Sequence, residues 1–293
     1  MKISLLITLL IAALFMLGCE PDFSSSGEHI STDVDSDMDG DSDTDNDDPS
    51  EIDSDTSEDT EDDGSTEGKE ARVYAHSATV LYEINPVDLT VSVVGPFQFS
   101  QPGDQMTDIA LDADGNMTGI TYTNIYAVDK ETAACHFLSS LKGSTGYNGL
   151  SFLEDENDNP ILVGAENNSG RVYVIDPQTG VDTQLGAYGS QLKSSGDLVY
   201  VKGAGAFATA MKTESATDVL LSVDPTDGSG TLIGETGFSN IWGLAYWGGQ
   251  LYGFTSRGEF ILIDPETGAG TLLEDTDYSF WGAGVTTRAP VVI

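Results

Sequence analysis

A chain of 293 residues has room for one or two domains, but its charge divides it first: 49 acidic residues against 11 basic ones leave a formal net charge of −38. Residues 20–70 hold 22 of the acids with Lys69 as their one base, and the 223 residues from position 71 onward hold 27 acids and 9 bases. Such a protein lacks the cations that neutralise phosphates, which argues against a nucleic-acid partner, and two cysteines are too few for an internal disulfide framework.

The first element is a leader. Lys2 gives a positive start, and residues 3–17 form an apolar run broken only by Ser4 and Thr8, which ends in Met16, Leu17, Gly18 and Cys19. The run falls short of the roughly 20 residues of a membrane span and suits the core of a secretory signal. A small residue directly before a cysteine resembles the lipobox of bacterial lipoproteins, although Met16 and Leu17 depart from its usual residues. The resemblance implies cleavage after Gly18, a diacylglyceryl group on the Cys19 thiol and acylation of the new amine. Two or more acyl chains hold a protein stably on a membrane, whereas one holds it marginally. The expected location is the bacterial cell envelope, on the inner or outer membrane, with residues 1–18 removed. The competing reading is an ordinary secretory signal with a chance cysteine.

Residues 19–70 follow as a lipidated cysteine and an acidic linker. Asp, Ser, Glu, Thr and Gly dominate, with Phe23 the sole aromatic. Such composition cannot bury enough apolar surface to offset its lost entropy, so disorder is expected. An uncharged flexible chain of this length would span roughly 40 Å, and like charges extend it further. Within it, Asp35, Asp37, Asp39 and Asp43 take positions 1, 3, 5 and 9 of an EF-hand-like calcium loop, with Gly40 at the turn. Position 12 is Asn46 where a bidentate Glu belongs, and no helical pattern flanks the loop. Diffuse cation association is therefore the expectation, with calcium at these four aspartates the weaker reading and no other cofactor called for.

From residue 71 to 293 the chain turns to Gly, β-branched and aromatic residues, and one unit recurs. An apolar strand runs into Asp-Pro-x-Thr-Gly or a relative, then into a second strand. The turn begins at Asn85, Asp129, Asp176, Asp224 and Asp264, at spacings of 44, 47, 48 and 40 residues. Asp or Asn can accept from the backbone two residues on, Pro presets φ, and Gly supplies a left-handed residue. In the second unit Lys130 replaces Pro and Ala133 replaces Gly, which makes that turn's geometry less secure. Two earlier strands in each unit, such as residues 243–246 and 250–254, bring the count to four.

An all-β repeat of 40–50 residues indicates a propeller. Joining the 29 residues after Asp264 to the 15 of residues 71–85 makes one more period. The expected fold is all-β: a five-bladed β-propeller of four-stranded blades, the last blade closed by strands from both termini. The repeat resembles the Leu-Tyr-x-Ile-Asp-Pro-x-Thr-Gly pattern of bacterial propellers of the YVTN and NHL types, over residues 71–289. That resemblance implies the fold and leaves the function open, because propellers serve binding, scaffolding and catalysis alike.

The loops leading into the innermost strands offer a binding face. Aligned there are Thr107-Asp108, Asn148-Gly149, Ser195-Gly196, Trp242-Gly243 and Trp281-Gly282. The candidate ligand-binding residues are Gln105, Asp108, Tyr147, Asn148, Lys193, Asn240, Trp242, Phe280 and Trp281, whose aromatics and amides suit a carbohydrate or a protein ligand. Trp242 and Trp281 also suit blade-to-blade packing, the reading favoured for them, and Tyr82, Tyr126 and Tyr173 recur as inter-blade core. Enzyme motifs are missing, and Cys135 and His136, as strand neighbours, face opposite ways. The leading expectation is a non-catalytic, monomeric lipoprotein whose propeller binds an unknown ligand. The alternative is a metal-dependent hydrolase or lactonase with its site over the channel. Only Asp108 and Asp197 lie near the inner strands, in positions expected to face different ways.

Overall fold

A computed structural model describes residues 72–144 and 146–292. Cys19 and the aspartates Asp35, Asp37, Asp39 and Asp43 lie outside the described residues. Within them the chain folds into five antiparallel β-sheets, with no helix.

Each sheet is one blade, built as a meander from the axis outward. The first complete blade is β5 (Met106–Leu111), β6 (Met117–Thr121), β7 (Asn124–Val128) and β8 (Ala134–Ser140), with a short β4 (Gln98–Phe99) added in parallel outside β8. Next come β9 (Tyr147–Glu154), β10 (Pro160–Glu166), β11 (Arg171–Ile175) and β12 (Asp182–Ala187), then β13 (Leu192–Val201), β14 (Gly205–Lys212), β15 (Val219–Val223) and β16 (Gly230–Glu235). A fourth blade holds β17 (Ile241–Trp247), β18 (Gln250–Thr255), β19 (Glu259–Ile263) and β20 (Gly270–Asp275). The fifth is stitched from both ends of the described chain: β21 (Gly282–Gly284) is innermost, followed by β1 (Val73–His76), β2 (Val80–Ile84) and β3 (Val91–Pro96). The inner strands β5, β9, β13, β17 and β21 neighbour one another in turn, and β21 returns to β5, so the ring is closed.

The closure is made by backbone pairing. Tyr74 pairs with Gly284, Ala75 with Ala283 and His76 with Gly282, and the Trp281 N–H donates to the His76 carbonyl at 2.7 Å. Closing the ring removes two sheet edges that would otherwise stand open to another chain. β4 was not legible in the sequence; its two residues add a parallel rung to the outer edge of β8.

The recurring turn has one geometry in all five blades. The side chains of Asn85, Asp129, Asp176, Asp224 and Asp264 accept from the N–H two residues on. The carbonyls of the same five accept from the N–H four residues on, at Leu89, Ala133, Gly180, Gly228 and Gly268. Those last residues are all left-handed, with φ between 58° and 80°. The second turn therefore keeps the common shape despite Lys130 and Ala133: the Asp129 carboxylate and two backbone bonds hold it there.

The core lies between blades. Tyr82 and Tyr126 are buried and Tyr173 half-buried, and their rings meet Tyr278 and Phe280, Phe99 and Phe137, and Tyr147 respectively. Cys135 is a buried free thiol pushed up to about 12 by burial, while His136 beside it is exposed.

Candidate functional site

The meander sorts the loops by face. Loops into the first strand and turns between the second and third open on one face, and the Asp-Pro-x-Thr-Gly turns lie on the other. On the first face, β5, β9 and β17 each carry one extra residue opposite their neighbour strand, at Thr107, Asn148 and Trp242, and β13 carries a longer irregularity between Ser194 and Leu198. A bulge re-aims the side chain it displaces. These residues, with Ser195 and Trp281, form the floor of a depression of about 280 Å3.

Its walls bring in Tyr122 and Asn167 from the turns after β6 and β10 and Met211 from the end of β14, together with Tyr147 and Asn240. Trp242 and Trp281 stand edge to face with centroids 6.0 Å apart. Both are only half-buried, so the packing they share leaves indole surface facing the depression. Asn148 Oδ1 is buried and has no hydrogen-bond partner. Asn240 is held in a left-handed conformation, φ 58°. None of the twelve lining residues is ionisable at neutral pH.

Of the residues singled out from the sequence, Tyr147, Asn148, Asn240, Trp242 and Trp281 line this depression. The others do not. Phe280 is fully buried and packs on Tyr82 and Phe254, because it points between blades rather than into the face. Gln105 and Lys193 are exposed outside the lining. Asp108 is fully buried under the floor. Thr107 and Ser195 sit at the aligned position just before the axial residue, and Tyr122, Asn167 and Met211 follow from the topology: the second turn of every meander opens on the same face as its first loop.

Beneath the floor the axis is filled by two carboxylates. Asp108 and Asp197 are both fully buried, and both are pushed up by that burial, Asp197 to about 8 and Asp108 well above the usual carboxylate range. They do not face different ways. β13 carries one more added residue than the single bulge of β5, which sets Asp197 rather than Gly196 level with Asp108 and brings both carboxyls to one place, where each influences the other. The inner strands aim N–H groups at the axis, and the pair accepts them: Asp108 from Ile109 at 2.9 Å and Leu150 at 2.6 Å, Asp197 from Leu198 at 2.6 Å, Leu244 at 2.7 Å and Ala283 at 3.3 Å. Two carboxylates this close cannot both ionise cheaply, so the pair retains a proton.

His76, also fully buried, places Nε2 3.6 Å from Asp108 Oδ1. Its Nδ1 sits 2.9 Å from the Ser77 carbonyl, a bond it makes as donor in the neutral ring. Burial lowers the imidazole to about 4, so the ring is neutral. A Cβ on Gly282 would stand 2.2 Å from Asp108 Oδ1 and 2.4 Å from His76 Nε2, so only glycine fits there. Asp108, Asp197 and His76 all have zero exposure, so the two acids are out of reach of a substrate in the depression above. Among the described residues no group of three or more His, Cys, Asp or Glu side chains is arranged to hold a metal ion.

The opposite face is covered by the chain's own tail. After β21, Thr286 Oγ1 donates to the Asp112 carbonyl, Thr287 receives the Lys202 N–H, and Pro290 receives the Gly248 N–H. Arg288 and Thr287 both reach Glu154 Oε1, at 2.9 and 2.7 Å, at the end of β9.

No family model matches the sequence, and no curated protein does. Among solved structures, the chain is similar to one in a nidogen/laminin complex over 77% of its length and 83% of the other, at 13% identity and a TM-score of 0.49. It is also similar to an oligogalacturonate lyase in complex with manganese, over 71% of this chain and 62% of that one, at 11% identity and a TM-score of 0.41. A protein of unknown function from Bacteroides caccae is similar over 70% of this chain and 72% of its own, at 10% identity and a TM-score of 0.39. Likeness at this level transfers no residue of a site, and the propeller rests on the strand pairing described above.

Proposed function

We propose that this chain is a cell-envelope lipoprotein, held to a membrane through Cys19 and presenting a monomeric propeller as a non-catalytic binding module. The acidic linker serves as the spacer between lipid and propeller. The receptor site in this reading is the depression floored by Thr107, Asn148, Ser195, Trp242 and Trp281. The observation that carries it is the lining itself: in a chain of net charge −38, twelve residues meet around one concavity without a single ionisable group at neutral pH. Concave sites that pair aromatic surface with a few aimed polar groups are the usual form of a small-ligand site.

Catalysis is left out of this reading because Asp108 and Asp197, the acids a hydrolase or lactonase would use, are sealed under the floor with their oxygens engaged by backbone N–H groups. The face bearing the Asp-Pro-x-Thr-Gly turns is left out because residues 286–290 run across it.

Two measurements test the proposal. Cys19→Ser should move the protein from the membrane to the soluble fraction; a variant that still needs detergent for extraction would remove the anchor. Trp242→Ala with Trp281→Ala should abolish binding of the full-length chain to purified envelope material while its thermal unfolding stays cooperative. Binding undiminished in that double variant would place the receptor site elsewhere.

A further inference from the structure

The depression also carries information about what it receives. Resting on the reading of this depression as the binding site, we propose that its ligand is an uncharged sugar: a single pyranose residue at the end or branch of a glycan, seated against Trp242 and Trp281, with acidic sugars rejected.

Four observations lead there. The first is size. About 280 Å3 lies just under the roughly 300–1,000 Å3 of sites for drug-sized ligands, which suits one ring and not an extended chain. The second is the division of the lining. Two adjacent blades contribute the indoles, and the other three contribute Thr107, Asn148 and Ser195, with Asn167 and Asn240 on the walls. A pyranose has the same two-sided character, an apolar C–H face and a rim of hydroxyls that both donate and accept. Amides and hydroxyls, which can do both, are the matching partners.

The third observation is an acceptor without a donor. Asn148 Oδ1 is buried and unpartnered, while its residue lines the cavity. A buried acceptor left in this state costs free energy until a donor reaches it, and a sugar hydroxyl is such a donor.

The fourth is charge. Four carboxyl groups stand directly behind the lining. Asp182 accepts from the Tyr147 hydroxyl, and Asp218 accepts from the Ile241 N–H at 2.8 Å and is bonded to Ser195. Asp108 and Asp197 follow Thr107 and Gly196 in sequence and fill the axis below. Lys193, two residues before Ser195, is exposed outside the lining. A uronate placed here would lose water, find no cation among the lining residues and face acidic groups, so the site selects against it.

The test uses the full-length chain in a detergent without a sugar head group. Methyl pyranosides of neutral hexoses and N-acetylhexosamines are compared with the matching methyl uronides, by saturation-transfer NMR and by tryptophan fluorescence. At least one neutral glycoside should receive saturation and shift the fluorescence, and its uronide should bind at least tenfold more weakly. Trp242→Ala and Asn148→Asp should each weaken the neutral glycoside at least tenfold without changing the cooperativity of unfolding.

Uronides that bind as well as neutral sugars would overturn the selection against charge. Should peptides perturb the tryptophans while no glycoside does, the ligand class is wrong and the site stands. A neutral glycoside that binds equally to Trp242→Ala shows that the depression is not the site, and the underlying reading falls with the inference. Silence from every glycoside and peptide overturns both.

Discussion

At the scale of single residues, the left-handed turn position separates two costs that usually travel together. Gly180 has φ 70°, and a Cβ there would stand 1.9 Å from the Ser140 carbonyl oxygen in the neighbouring blade. Gly180→Ala therefore adds a clash to the left-handed penalty and should destabilise the fold by at least about 2 kcal/mol, read from denaturant midpoints. Ala133 holds the equivalent place with φ 58° and is buried. Ala133→Gly relieves roughly 1–2 kcal/mol of left-handed strain but loses about 0.8 kcal/mol with the buried methyl and about 0.5 kcal/mol through a looser unfolded chain, so it should be close to neutral. A large loss from Ala133→Gly together with a silent Gly180→Ala would contradict this account of the turn.

The axial acids supply a pH signature at the same scale. The folded carboxyls of Asp108 and Asp197 titrate above their unfolded values because burial disfavours charge. The stability they contribute is fully present below the unfolded pKa and is lost as pH rises through the folded one, near 8 for Asp197. His76 has the opposite sense: lowered to about 4, it costs stability as pH falls below its unfolded value. Above about pH 7 the imidazole is neutral in both states, and below about pH 8 the unfolded Cys135 thiol is still largely protonated, so between these limits the pair dominates. Stability should fall by on the order of 1 kcal/mol between about pH 7 and pH 8. Asp197→Asn should flatten that slope. Denaturant unfolding across this window measures both, and a slope unchanged in Asp197→Asn would remove the buried carboxyl near 8 from the account.

At the scale of elements, the sequence was most readable where a backbone position demands a residue type. The five turns announced themselves because their side-chain and left-handed positions each admit few residues, and the inner strands because glycine marks close approach at Gly149, Gly196, Gly243 and Gly282. What stayed hidden depends on local register. Alignment on the glycines sets Gly196 level with Asp108 and Asp197 one place past it; the extra residues between Ser194 and Leu198, one more than β5 carries at Thr107, move Asp197 to the level of Asp108, and no composition signal marks them. Phe280 lies one residue before Trp281, yet it turns into the core with Phe254 while Trp281 lines the depression. The tail is a further case: only the fold shows that Arg288 reaches Glu154, whose side chain is 2% exposed. Glu154→Ala should remove the acceptor shared by Thr287 and Arg288, leave Arg288 only Asp158, loosen residues 286–292 and make that segment the first site of proteolysis, with a smaller effect on the melting temperature than on the rate of cleavage.

At the scale of the molecule, the charge asymmetry and the fold divide the work. Among the described residues the core lies between blades whose strands begin at Val73. Deleting residues 25–68 should therefore leave the melting temperature of the β-domain unchanged, and a marked drop in calorimetry would mean that the acidic segment packs against it. The ring itself depends on three residues of β21, which contribute the innermost strand of the fifth blade and the Ala283 N–H that reaches Asp197. Every feature of the depression depends on that closure, because Trp281 stands at the seam. The most direct measurement is thermal unfolding of a chain that lacks residues 281–293, followed by circular dichroism and calorimetry. The closed ring predicts loss of the cooperative transition and an aggregation-prone product with open strand edges. A soluble truncation that melts cooperatively at the parent's temperature would contradict it.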